Sequence, residues 1–403
     1  MKNHGGRFSF RRIAVALGIS ALSLTTLPMT ATAAPNRGEP TIISMGDSFI
    51  AGTAGRWLGN SNDPFGDRNK TDRAFYLDPR WGPTYDDTRV YGSSGSCFRS
   101  DTAEIKSAAI PYEGTKLNTV NLACSGATAK NVLSTAAGGQ SFKGEAPQGD
   151  QLVTASKIHD VHAIVLSIGG NDMGFSDIIA SCIGAYMAPF GKPCLTTQQV
   201  TFDKKIDGAM ALLDKTIKDI RRVMKNNGYT ERGPDRYSLV VQSYPSPLPR
   251  ASETRYPEGG IFNQRIYQGC PLFNKDLTWA RDTMVPRLSS RISEVVKANG
   301  ADFLDLSDAF QGHETCSTST RVADSKNLPL SATMDWSRYF NTAVFQGAFD
   351  ESFHPNAFGQ RALGNCLNKW WFENWMHNSG ATYKCVPGGR RHDQMVLSYV
   401  PAS

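Results

Sequence analysis

Five short apolar runs, rich in β-branched residues and set apart by helical or polar stretches, limit this chain to one kind of architecture. They span residues 41–45, 119–122, 162–168, 237–242 and 301–306. Between them, residues 202–227 carry Ile206, Met210, Leu213, Ile217, Ile220 and Val223 at helical spacing, closed by Gly228. Residues 277–299 repeat the pattern, interrupted at Pro286, where a kink or break is expected. Shorter helical patterns cover 100–110 and 357–371. Continuously apolar strands alternating with helices predict a parallel sheet covered on both faces. The fold class is α/β.

The N-terminus stands outside that pattern. Lys2, Arg7, Arg11 and Arg12 precede an apolar stretch from Ile13 to about Leu27, and Ala31-Thr32-Ala33 fits a small-residue cleavage site. Residues 1–34 therefore read as a secretory signal peptide. Arg11-Arg12 admits the twin-arginine route beside the general secretory one. Four of the six net positive charges leave with this segment, so no basic field for nucleic acid remains. No later apolar run reaches the roughly 18 residues of a membrane span. The expected product is exported and soluble, one domain over 35–386 with a loose surface strap over 387–403.

Eight cysteines agree with export: Cys97, Cys124, Cys182, Cys194, Cys270, Cys316, Cys366 and Cys385. An even count in an exported chain implies disulfides, and the absence of any CxxC argues against a zinc site. Pairing in sequence order, each bridge pinning one long loop, is the expectation.

The first run ends in Gly46-Asp47-Ser48, which puts a hydroxyl at the C-terminal edge of a strand, where open α/β sheets bind ligands. A serine needs an adjacent base to act as a nucleophile. Of seven histidines, His4 leaves with the signal, and His159, His162, His377 and His392 lack a site context. His313, close to Cys316, reads as part of a structural loop. His354 precedes Pro355, which biases it to an extended backbone just before the closing helix. It is the candidate base. A tetrahedral oxyanion on the attacked carbonyl would need donors. Gly126 can offer a backbone N–H at close approach, and Asn171, after Gly169-Gly170, a side-chain amide. Asp47 and Asp172 read as turn and capping residues.

As a set, GDSF at 46–49, NLACSGAT at 121–128, LSIGGNDMGF at 166–175 and the late His354 resemble the blocks of the SGNH (GDSL-type) hydrolases, in particular their exported actinobacterial lipase/esterase branch. The inserts at 53–116 and 316–350 lie outside the resemblance. It implies a flavodoxin-like three-layer α/β/α sandwich with a five-stranded parallel sheet, long disulfide-pinned loop insertions, and neither metal nor organic cofactor. It also implies Ser48 as nucleophile, His354 as acid/base, and an oxyanion hole of Gly126, Asn171 and the Ser48 N–H. The branch's sequence-order pairing suits Cys97–Cys124, Cys182–Cys194 and Cys270–Cys316, and leaves Cys366 with Cys385. The family usually carries Asp three residues before the histidine, where this chain has Glu351, with Asp350 one further back. Some members use a backbone carbonyl instead, here that of Ser352 or a neighbour. The third position is open among these, with Glu351 entered at the family's place.

The expected activity is hydrolysis of small-molecule or lipid esters by a secreted, monomeric serine esterase or lipase acting through an acyl-enzyme. Phospholipase A activity, acyl transfer to an alcohol and glycan deacetylation share that chemistry. Trp57, Trp81 and Trp336 could line an acyl groove or form sugar platforms. A non-catalytic surface-binding module is the rival class, disfavoured because every site residue is present.

Overall fold

All five apolar runs are strands of one sheet: β1 (Pro40–Gly46), β2 (Asn118–Asn121), β3 (Asp160–Ser167), β4 (Ser238–Gln242) and β5 (Asp302–Asp305). The computed structural model describes residues 37–401 except 92–94, 232–235, 260–263, 342–345 and 375–379. The expected signal segment and His377 lie outside the described residues. The sheet has seven strands rather than five, because β6 (Thr382–Pro387) and β7 (Met395–Val400) extend it in the order 2-1-3-4-5-6-7. Strands β1 to β6 are parallel, and β7 pairs antiparallel with β6. The expected loose strap is thus partly an edge strand. Gly388-Gly389 and the residues after it close a hairpin, and Val396 and Tyr399 suit a pleated surface.

Alternate residues feed two separate cores. Ile43, Met45, Ile164, Leu166, Leu239 and Val241 point into one, and Ile42, Ala163, Val165 and Val240 into the other. The first is covered by the helix Leu195–Asn226, whose buried Phe202, Ile206, Leu213, Ile217 and Ile220 form one stripe, and by Val285–Ala298. The second is covered by Ala357–Asn374. The interruption expected at Pro286 takes the form of a π-turn at Ala280–Met284 just before it, and Pro286 sits in the first turn of Val285–Ala298, where its missing N–H is tolerated. The helix expected over 100–110 is confined to Glu104–Ala108. Two further helices, Gln148–Ile158 and Phe175–Met187, go beyond the sequence reading.

The four disulfides are Cys97–Cys124, Cys182–Cys194, Cys270–Cys316 and Cys366–Cys385. The last ties the closing helix to β6. In a sheet of this order the strand order reverses between β1 and β3, and the crevice at their C-terminal ends is the natural ligand site.

Candidate active site

At that crevice β1 ends in Gly46, whose φ of 136° belongs to glycine; a Cβ there would lie 1.9 Å from the Ser167 carbonyl. Asp47 then caps the single-turn helix Ser48–Ala51, accepting from the Phe49 N–H at 3.2 Å. Ser48 opens this helix, so its own N–H has no partner within it. The turn is tied to both neighbouring strands: the Asp47 N–H donates to Ser167 at 3.1 Å, and the Gly46 carbonyl accepts from Cys124 at 3.1 Å.

The chain brings His354 across more than 300 residues to this turn. Its Nε2 lies 2.7 Å from Ser48 Oγ, and its Nδ1 lies 3.0 Å from the Ser352 carbonyl oxygen. A carbonyl only accepts, so Nδ1 carries the proton and Nε2 is free to accept from Ser48. Burial pushes the His354 pKa down to about 4, against smaller upward effects of the Ser352 carbonyl, Asp350 and Glu351. The imidazole is neutral near pH 7, as a base must be.

Glu351 does not take the third position. Its carboxylate is buried and accepts from Trp57 Nε1 at 2.9 Å, from the Tyr91 hydroxyl and from the Ala348 N–H at 3.0 Å, with Arg56 Nε 3.4 Å away. It sits in a short 3₁₀ turn, Phe349–Glu351, that aims the side chain back into the 53–116 insert, away from the imidazole. Asp350 is exposed at the cavity rim. The backbone alternative is the one the geometry fits.

Gly126, with φ of 87°, and Asn171 line the same cavity as Ser48 and His354. Asn171 Nδ2 gives one hydrogen to the Ala127 carbonyl at 2.9 Å, which orients the amide and leaves its second hydrogen available. Asp172 does not cap the helix that follows it; it accepts at 2.9 Å from the N–H of Ala129, at the start of Ala129–Val132. The cavity, of about 210 Å³, is walled by Phe49, Phe175, Ile179, Ile183, Phe340 and Phe353.

No family model matches the chain. It is 23% identical over 353 residues to Lipase 2 of Streptomyces coelicolor, covering 86% of this chain and 91% of that protein. The four separated sequence blocks meet at this one cavity. The chain resembles an ester hydrolase of the SGNH type. Among solved structures, the extracellular lipase of Streptomyces rimosus aligns at 20% identity with a TM-score of 0.47, over 82% of this chain and 99% of that one. Phospholipase A1 of Streptomyces albidoflavus aligns at 20% and 0.43 over the same shares.

Three residues that brace the site escaped the sequence reading. Gln148 clasps Gly46 with two bonds of 2.8 Å, one to its N–H and one to its carbonyl. Gln360 donates to the Phe49 carbonyl at 2.8 Å. Tyr244 donates to Asp47, whose carboxyl burial pushes up to about 7. Trp57 and Trp336 are wholly buried and cannot be substrate platforms; Trp81 is 83% exposed but does not line the cavity. His313 is stacked on Trp336 at 3.9 Å, with Nδ1 3.1 Å from the Met334 carbonyl, a structural role.

Proposed function

We propose that this hydrolase is an exported carboxylesterase that cleaves esters of medium-to-long acyl chains through an acyl-enzyme on Ser48. The observation that carries the proposal is the 2.7 Å Ser48–His354 pair opening onto an aromatic and aliphatic cavity. His354 Nε2 takes the Ser48 proton as Oγ attacks the carbonyl carbon, and the Ser352 carbonyl holds the Nδ1–H of the imidazolium that forms. The oxyanion receives hydrogen bonds from the N–H groups of Ser48 and Gly126 and from the Asn171 amide. His354 then protonates the leaving alcohol, and a water activated by the same nitrogen releases the acid. The apolar wall favours an acyl chain over an acetyl group on a sugar. Export rests on the signal-like residues 1–34 and on eight cysteines that all pair, which suits an oxidising compartment.

The test is a series of p-nitrophenyl esters from acetate to decanoate. A buried methylene contributes about 0.8 kcal/mol, so kcat/KM should climb by up to about fourfold per methylene until the cavity is filled. A fluorophosphonate should add its mass to the peptide holding Ser48. A preference for acetate would overturn the acyl-chain assignment, and labelling of another serine would overturn the nucleophile.

A further inference from the structure

The two turns that carry Ser48 and Asn171 diverge where the β1–β3 ladder ends. The Asp47 N–H bond to Ser167 is the last main-chain link between them. Beyond it, one side-chain hydroxyl spans the gap. Tyr244, just after β4, donates to Asp47 Oδ2 and accepts from the Gly170 N–H at 3.0 Å. Asp47 immediately precedes Ser48, and Gly170 immediately precedes Asn171. Because the hydroxyl's one hydrogen is committed to Asp47, its direction is fixed. The ring is buried and held edge-on by Phe49 at 5.2 Å and 86°. The second Asp47 oxygen takes the Phe49 N–H, so a single carboxyl joins Tyr244 to the helical turn that presents Ser48.

We propose that Tyr244 is a positioning residue that fixes the separation of the oxyanion donors on the Ser48 and Asn171 turns. It lines the cavity, but its hydroxyl bonds Asp47 and Gly170 rather than Ser48, His354 or Asn171. It sets where the Asn171 amide stands relative to the Ser48 N–H, and it acts through Gly170 on one side and Asp47 on the other. This rests on the roles proposed above for Ser48 and Asn171.

Tyr244→Phe keeps the ring and removes only the tether. Rates are counted per Ser48 titrated by a fluorophosphonate, so loss of folded protein does not register. Displacements of about an ångström can cost on the order of 10²-fold, so kcat should fall roughly 10- to 100-fold with KM little changed. The discriminating measurement is the same substitution in an Asn171→Ala background, where the donor to be positioned is gone and the further loss should be less than about twofold. Losses that multiply in the double variant would overturn the proposal, as would a change in KM alone or full activity of Tyr244→Phe. Should that variant hold no titratable Ser48, Gly170→Ala probes the same contact, since its methyl would lie 3.2 Å from the Tyr244 ring and hydroxyl. The same fall in kcat is expected, and unchanged activity would overturn the proposal. A wild-type enzyme whose Ser48 is not titrated would instead overturn the reading on which it rests.

Discussion

Ser48 sits two residues beyond the turn glycine of β1, in a turn whose Asp47 and Gly46 are fastened by main-chain bonds to Ser167 and Cys124 on the strands or turns to either side. His354 lies in an irregular loop after Gln346, and side chains do much of the fastening there. The Glu351 carboxylate gathers Trp57, Tyr91 and Ala348. Arg338, fully buried over Trp57 at 3.8 Å, donates to Asn60 Oδ1 at 2.7 Å. Its backbone N–H donates to the His354 carbonyl at 2.8 Å, and its carbonyl accepts from Phe353 at 2.9 Å. Among the described residues, none that lines the cavity comes from the 53–116 insert. That insert, which supplies Trp57, Asn60 and Tyr91, serves as the mounting of the histidine loop. Ser48 is therefore positioned by a strand end and its main-chain bonds, with Gln148, Tyr244 and Gln360 bracing the turn, and His354 by a loop held chiefly by a buried polar cluster.

The largest effect tests whether the two halves act as one unit. Ser48→Ala and His354→Ala should each lower kcat by about 10⁴ to 10⁶, and the double variant should be no worse than the more damaging single one. Thermal midpoints should stay close to wild type, because neither side chain carries the packing of its loop. Losses that multiply in the double variant would separate the two residues mechanistically and break the comparison at its root.

The same division explains what could be read in the sequence. Runs such as 162–168 announce strands because burial on both faces demands continuous apolar residues, and GDSF sits at a strand end whatever its neighbours are. The cavity wall was not legible. Phe175, Ile179 and Ile183 lie on one face of a helix, but Gly184 and several small residues blur its stripe. Gln148, Tyr244 and Gln360 work only through tertiary approach to the turn, which no local pattern encodes. Glu351 misled for a related reason. Its position before the histidine matches a family habit, yet the direction of its side chain is set by Trp57 and Tyr91, nearly 300 and 260 residues away.

An intermediate effect is expected at Glu351. Glu351→Gln leaves the Arg56 guanidinium without its buried anion and sets an amide hydrogen against donors in the pocket. Breaking a buried pair costs about 3–5 kcal/mol, enough to lower the thermal midpoint by roughly 5–10 °C. The fall in kcat should be near tenfold, because the Ser352 carbonyl still orients the ring. Removal of a true triad carboxylate costs about 10⁴-fold. A loss of that size in a stably folded variant would restore Glu351 as the orienter.

The smallest effect is a flat stretch of the pH profile. Burial lowers the His354 pKa to about 4, and the Ser352 carbonyl, lacking a full negative charge, offsets only part of that. The reaction needs neutral imidazole, so the acid limb of kcat/KM should have its midpoint near pH 4, with little change from pH 5 to 6.5. The unfolded chain binds this proton near pH 6.5 and the folded chain only near 4. This group's contribution to stability is therefore full above pH 6.5 and lost as pH falls toward 4. Asp47, raised to about 7 by burial, titrates nearby with the opposite sense. Its anion beside the oxyanion site should depress the rate as pH rises through 7, so it cannot imitate an acid limb. A midpoint at 6.5 or above would mean that an anion, not a carbonyl, faces Nδ1, and the histidine would then be held by charge rather than by its loop.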